Sequence, residues 1–140
     1  MTNLTLSIVL QAAALMTGGH QSTHQYNQAY QQTAETGRPL LVLVGADWCP
    51  GCRQMKDSVM PQLERQGTFK KVALAYVNSD QQQELAGKLM QGGSIPQLIL
   101  FKKSGKRWVR QQLTGAHSLG DTKNFISQGA KPATPNVRSQ

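Results

Sequence analysis

The sequence predicts an α/β protein in which a mixed sheet is covered by helices on both faces. The runs Leu40–Val44 and Val72–Val77 are short, unbroken and apolar, as strands buried on both sides are. Segments of helical period stand before, between and after them, which makes the connection from the first strand to the second a crossover and the pair parallel. A third apolar run, Ile95–Phe101, is turned back by Ser104-Gly105 into a partner strand, Arg107–Leu113, and so adds an antiparallel hairpin.

Taken in order, Leu4–Met16 is mostly apolar and is followed by the small residues Thr17-Gly18-Gly19. Thirteen residues cannot cross roughly 30 Å of hydrocarbon as a helix, so no stable membrane span is expected. The length suits the core of a signal peptide, and Thr17-x-Gly19 suits its cleavage site, although Met1-Thr2-Asn3 carries no Lys or Arg. Residues 1–19 are therefore expected to direct export to the periplasm or medium. The alternative is a cytoplasmic protein with an N-terminal helix packed on the domain or on another copy. Residues 20–25 read as a polar linker.

From Tyr26 the apolar or small residues Ala29, Tyr30, Thr33 and Ala34 recur on one helical face, with Tyr26 and Tyr30 expected in the core; Gly37 ends the helix and Pro39 lies beyond it. After the first strand a helix is expected over about 50–66, inward through Met55, Val59 and Leu63. Pro61 lies inside it, so a kink or break is expected near Met60. Asn78-Ser79-Asp80 offers caps for a helix over about 81–90, with Leu85, Leu89 and Met90 facing in. A last helix over about 118–128 is anchored by Leu119, Phe125 and Ile126. Residues 26–128 form the domain, and Gly129–Gln140, with two prolines and no period, reads as a mobile tail.

The chemistry concentrates at Trp48-Cys49-Pro50-Gly51-Cys52, which holds both cysteines of the protein at the end of the first strand. Pro50 suits the first position of a helix, because its missing N–H would have had no partner there. Cys49 then falls at the N-cap and Cys52 one turn in. A sulfur at Cys49 faces unpaired backbone N–H groups and the positive end of the helix dipole, which favour a thiolate. A Cys-x-x-Cys pair beside a βαβ pattern reads as a redox dithiol. Two alternatives remain. A structural zinc site needs four ligands as a rule, and no second cysteine pair exists. A soft ion such as Cu(I) could be held by Cys49 and Cys52 with a histidine, His20 or His24, or with a partner's ligand. A redox-inactive binding domain is the third class.

The net charge is +8. Lys70-Lys71, Lys102-Lys103 and Lys106-Arg107 fall at turns and strand ends, where lysines keep edges solvated. They are not interleaved with aromatics along a groove, so no nucleic-acid partner is expected, and attraction to acidic proteins or membrane surfaces fits the charge better.

Strand-Trp48-Cys49-Pro50-Gly51-Cys52-helix, then Ser94-Ile95-Pro96 opening a strand 47 residues after Cys49, then a Gly-turned hairpin and a final helix, together resemble the thioredoxin-like fold family. The likeness covers roughly residues 26–128, and its lack of a clear strand before the first helix looks like the small, often exported branch. The resemblance implies a three-layer sandwich and a protein thiol–disulfide oxidoreductase. In it Cys49 is the exposed nucleophile, and Cys52, more buried, resolves the mixed disulfide. Pro96 is implied to be cis beside the dithiol, with the backbone of Ile95 taking an extended substrate as an added strand. Trp48, Pro50, Gly51, Ile95 and Pro96 are the substrate-binding residues so implied; Trp48 could instead be a lid on the core. No cofactor or metal is implied, since the dithiol is itself the redox group. The partners implied are protein disulfides or dithiols and an upstream thiol redox protein, with the chain a monomer.

Two positions depart from thioredoxin. Its buried Asp, six residues before the first cysteine, is Leu43 here, and a Lys on the next strand is Tyr76. Without that acid the Cys52 proton must leave by water or another base. Pro50-Gly51 also reverses thioredoxin's Gly-Pro, so its potential does not carry over; dithiols of this kind spread over about −270 to −120 mV.

Overall fold

The computed structural model describes residues 24–132, and the expectations for residues 1–19 and for the end of the chain lie outside that range. His20 lies outside it as well. Within it the order is α1 (Tyr26–Thr36), β1 (Leu40–Gly45), α2 (Pro50–Gln54), a π-helical turn (Met55–Val59), α3 (Met60–Arg65), a 3-10 turn (Thr68–Lys71), β2 (Ala73–Asn78), α4 (Gln83–Leu89), β3 (Gln97–Ser104), β4 (Arg107–Thr114) and α5 (Leu119–Gly129). The sheet runs β2-β1-β3-β4. β1 is parallel to β2 and antiparallel to β3, and β3 is antiparallel to β4.

β1 is central because each of its faces has a layer to meet. Leu41 and Leu43, with Leu74, Leu98 and Leu100, pack against Met55, Val59, Met60 and Leu63 of the interrupted helix and against Ile126 of α5. Leu40, Val42 and Val44, with Ala73, Ala75, Val77 and Ile99, pack on the other face against Ala29 of α1 and Ala86 and Leu89 of α4. Helices therefore cover both faces of the mixed sheet, as the apolar runs require.

The break expected at Pro61 is a π turn immediately before it. Pro61 has no N–H to give the carbonyl four residues back, and its ring crowds that carbonyl. The backbone widens instead, with the Met60 N–H donating to the Met55 carbonyl. Met55 and Val59 stay buried while Lys56, Asp57 and Ser58 face solvent.

Several expectations are corrected. Tyr30 is 57% exposed, stacked on the half-buried Tyr26 rather than seated in the core. The Asn78 side chain accepts from the N–H groups of Asp80 (2.9 Å) and Gln81 (3.2 Å). It thereby caps a turn, while α4 begins later, at Gln83, without a side-chain cap. Gly129 belongs to α5 and is buried, not part of a tail. A Cβ at Gly129 would run into the Leu100 side chain, and Leu100 is fully buried, so it has no open space to turn into. Overpacking of that kind costs about 1–3 kcal/mol, against about 1 kcal/mol regained by replacing a helical glycine. Gly129→Ala is accordingly expected to lower the urea midpoint; a raised midpoint would mean that α5 can lift from the sheet freely.

A dithiol between a cis-proline loop and a polar cleft

The two cysteines meet because β1 delivers the chain to a helix start. Cys49 has extended dihedrals as the N-cap, Pro50 takes the first helical position, and the Cys52 N–H donates to the Cys49 Sγ at 3.2 Å. A hydrogen bond from a backbone amide favours the anionic form of the atom it reaches. Around the sulfurs lie Ala46 and the half-buried Ile95. The Cys49 Sγ lies 3.8 Å from the Ile95 carbonyl oxygen, on the side of the loop that ends in Pro96. The Ile95–Pro96 peptide is cis.

The cysteines do not divide into an exposed one and a buried one. Cys49 is 6% exposed and Cys52 5%. What separates them is their neighbours. Cys49 has an amide donor and the Ile95 carbonyl, whereas Cys52 packs on Gly45. A Cβ at Gly45 would sit 2.9 Å from both Cβ and Sγ of Cys52, closer than two carbon atoms can approach, so glycine here is what lets the second sulfur lie against the strand. Gly51 is similarly close-fitted, since a Cβ there would meet Ala116 at 3.3 Å and the Pro96 ring at 3.4 Å. Pro50 is exposed and Pro96 buried.

Trp48 is no lid on the core. It is 67% exposed, and its indole Nε1 donates to Asp80 Oδ2 at 2.9 Å. The loop carrying Asp80 is tied to the end of β1 by the Ser79 N–H donating to the Gly45 carbonyl at 2.8 Å. One hydrogen bond thus fixes an otherwise solvent-borne ring beside the dithiol.

Behind Cys52, on the side away from Pro96, a cleft of about 430 Å³ opens, walled by Leu43, Lys56, Asp57, Tyr76 and Gln81 among others. The two departures noted in the sequence are neighbours here, with Leu43 paired to Tyr76 across the β1–β2 ladder. Tyr76 is pushed up to about 12 by burial first and then by the negative charges of Glu64 and Asp57. Near neutral pH it is therefore a neutral phenol and no base for a thiol proton.

His24 does not join the cysteines. Its ring meets Tyr76 edge-on at 5.1 Å and lies 3.8 Å from a Glu64 carboxylate oxygen, facing a different cavity. Among the described residues no group of three or more His, Cys, Asp or Glu side chains is gathered to hold a metal ion. His117 is half-buried, with its backbone N–H donating to the Met55 sulfur at 3.5 Å.

Gln97 is a site residue that sequence reasoning passed over. It is fully buried, its Nε2 donating to the carbonyls of Gln91 (3.0 Å), Gly92 (3.2 Å) and Ser94 (3.0 Å) and its Oε1 accepting from the Gln91 N–H (3.2 Å). Gln112 also donates to the Gln91 carbonyl at 3.2 Å, and Arg110 to that of Leu89 at 2.8 Å. The loop that presents Ile95 and Pro96 is therefore held from β3 and β4. The signal was a polar side chain opening an apolar strand directly after proline. Asp80 and Gly45 were likewise missed, because their partners come from other parts of the chain.

These features define a protein of the thioredoxin fold with its two cysteines at the usual strand-to-helix bend. A family profile described as Thioredoxin-like matches residues 21–103. The chain belongs to the thioredoxin-like family. Among solved structures, a thioredoxin from Thermus thermophilus superposes with a TM-score of 0.63 at 22% identity, over 75% of this chain and 83% of that one. An N21Q mutant thioredoxin from Halobacterium salinarum NRC-1 gives 0.60 at 22%, over 79% and 91%. Trxlp from Edwardsiella tarda EIB202 gives 0.56 at 26%, over 74% and 95%. Among the described residues no helix is long and apolar enough to cross a membrane.

Replacing Gln97 by Met keeps its size but leaves the Gln91 N–H and three carbonyls without that partner. A loss of about 1–3 kcal/mol is expected, with faster hydrogen exchange at the Gln91 amide. Unchanged exchange would mean that Gln112 and Arg110 hold the loop without it.

Proposed function

We propose that this chain is a thiol–disulfide oxidoreductase acting on protein disulfides. The observation that carries the proposal is the Cys52 N–H on the Cys49 sulfur, beside the cis-Pro96 loop. The Cys49 thiolate attacks one sulfur of the partner disulfide; that S–S bond breaks, and its other sulfur leaves as a thiolate and takes up a proton. Cys52, once deprotonated, attacks Cys49 Sγ, and the partner's second sulfur leaves as a thiolate. Two electrons have then passed to the partner, and the Cys49–Cys52 disulfide remains. Run backwards, the same steps oxidise a dithiol. An extended substrate segment lies along Ile95, with Trp48, Pro50, Gly51 and Pro96 as the surface around the sulfurs.

Because the two cysteine residues are about equally buried, the assignment of roles rests on hydrogen bonding and not on exposure. In an insulin-reduction assay Cys49→Ser is expected to abolish turnover, whereas Cys52→Ser accumulates the mixed disulfide. Alkylation of Cys52 before Cys49 at pH 6 would reverse the assignment.

The cleft gives the Cys52 proton a route in place of the missing acid, outward through water past Asp57. A carboxyl on the wall that Leu43 shares with Cys52 is a shorter route. Leu43→Asp should therefore speed resolution of the mixed disulfide in single-turnover kinetics across pH 6 to 9, with its own pKa raised by desolvation. It should also cost stability, about 3 kcal/mol for a carboxyl in a buried strand. Unchanged kinetics in a folded variant would make the cleft route sufficient by itself.

A further inference from the structure

The β3–β4 hairpin is longer than the sheet that carries it. Pairing of β1 with β3 stops at Leu40–Phe101, while β3 and β4 continue to pair through Lys102–Val109, Lys103–Trp108 and Ser104–Arg107. The last three rungs are a two-stranded ribbon that runs past the end of β1. They point away from the dithiol, because β3 starts at the Pro96 end of the sheet. About nine residues at about 3.4 Å each put the tip roughly 30 Å from the active-site loop.

The charge of this ribbon is one-sided. Residues 97–114 contain Lys102, Lys103, Lys106, Arg107 and Arg110 and no acidic residue. Two of the five cations are engaged with the body of the protein, Lys102 donating to the Lys131 carbonyl at 3.3 Å and Arg110 to that of Leu89. Lys103, Lys106 and Arg107 are exposed at the tip. Among them stands Trp108, 53% exposed, with the Lys103 ammonium 5.5 Å from its ring centre. Charges on an edge strand serve to discourage sheet-to-sheet association, but that purpose does not account for an exposed indole, which invites association.

We propose that this hairpin tip docks the protein on an anionic phospholipid surface and holds the dithiol away from it. An indole ring takes its place at the boundary of headgroup and acyl chain. Lysines beside it keep their ammonium groups in water while their stems lie along apolar surface, and each basic group near an anionic leaflet strengthens attachment severalfold. Single-stranded nucleic acid fits the tip less well, because it needs successive aromatic faces and the tip offers one ring. The inference does not depend on the redox reading.

The test is sedimentation of the full chain with phosphatidylcholine vesicles, with and without one part in three of phosphatidylglycerol, in low and high salt. The full chain carries Leu4–Met16, so the informative quantity is the difference between wild type and Lys103→Gln/Lys106→Gln, in which that segment is unchanged. Wild type is expected to favour the anionic vesicles, and the double variant to lose roughly fivefold in partition for each cation removed, with an unchanged urea melt. In a Trp48→Phe background the emission of Trp108 should shift to the blue on the same vesicles. Equal partition of wild type and double variant, or emission that does not move, overturns the proposal. So does equal competition by a short single-stranded oligonucleotide.

Discussion

The structure depends on β1 being buried on both faces while ending in a residue with no side chain. Leu41 and Val42 point in opposite directions into two different cores, which fixes the strand between two helical layers. Gly45 then leaves just enough room for Cys52 to lie against the strand end. A buried strand gives the bend a rigid base, and a rigid base is what allows a sulfur to be placed within hydrogen-bond reach of one amide. The Cys49–Cys52 geometry is thus a consequence of core packing, carried a few residues past the end of the core.

Two supports converge on that bend from distant parts of the chain. From one side Asp80, at the end of β2, holds the Trp48 ring by its indole N–H. From the other, Gln97 gathers the carbonyls of a loop rich in glycine. A Gly-Gly loop left alone would sample many conformations. Tied to a buried amide it presents Ile95 and Pro96 in one position beside the dithiol.

The second sulfur sits in a setting different from its thioredoxin counterpart. Where that family places an acid and a lysine, this chain places Leu43 beside Tyr76, and the phenol, held neutral by burial and by Glu64 and Asp57, stands in for neither. The π turn before Pro61 itself carries Lys56 and Asp57, both exposed and both lining the cleft behind Cys52. Charge that is absent from the strand is present on the helix, on the wall of the same cleft that Cys52 lines.

Periodicity and punctuation in the sequence determined the elements, their order, the covering of both sheet faces and the position of the dithiol at a helix start. These are local properties: apolar runs, a proline at a helix entrance, glycines at helix ends. Pro61 announced a break, but the sequence left open whether the helix would kink or widen. What only the tertiary structure decided were relations between residues far apart in the chain. Cys49 is as buried as Cys52, with Ile95 packed against the pair; Trp48 stays exposed and is held by Asp80 instead of by the core; Tyr30 stacks on Tyr26 at the surface while Ala29 fills the core beneath α1. Gly129 is helical and tight against Leu100, although its neighbours in sequence look like a tail. Burial depends on what a distant segment places opposite a side chain, and one-dimensional spacing carries no record of that.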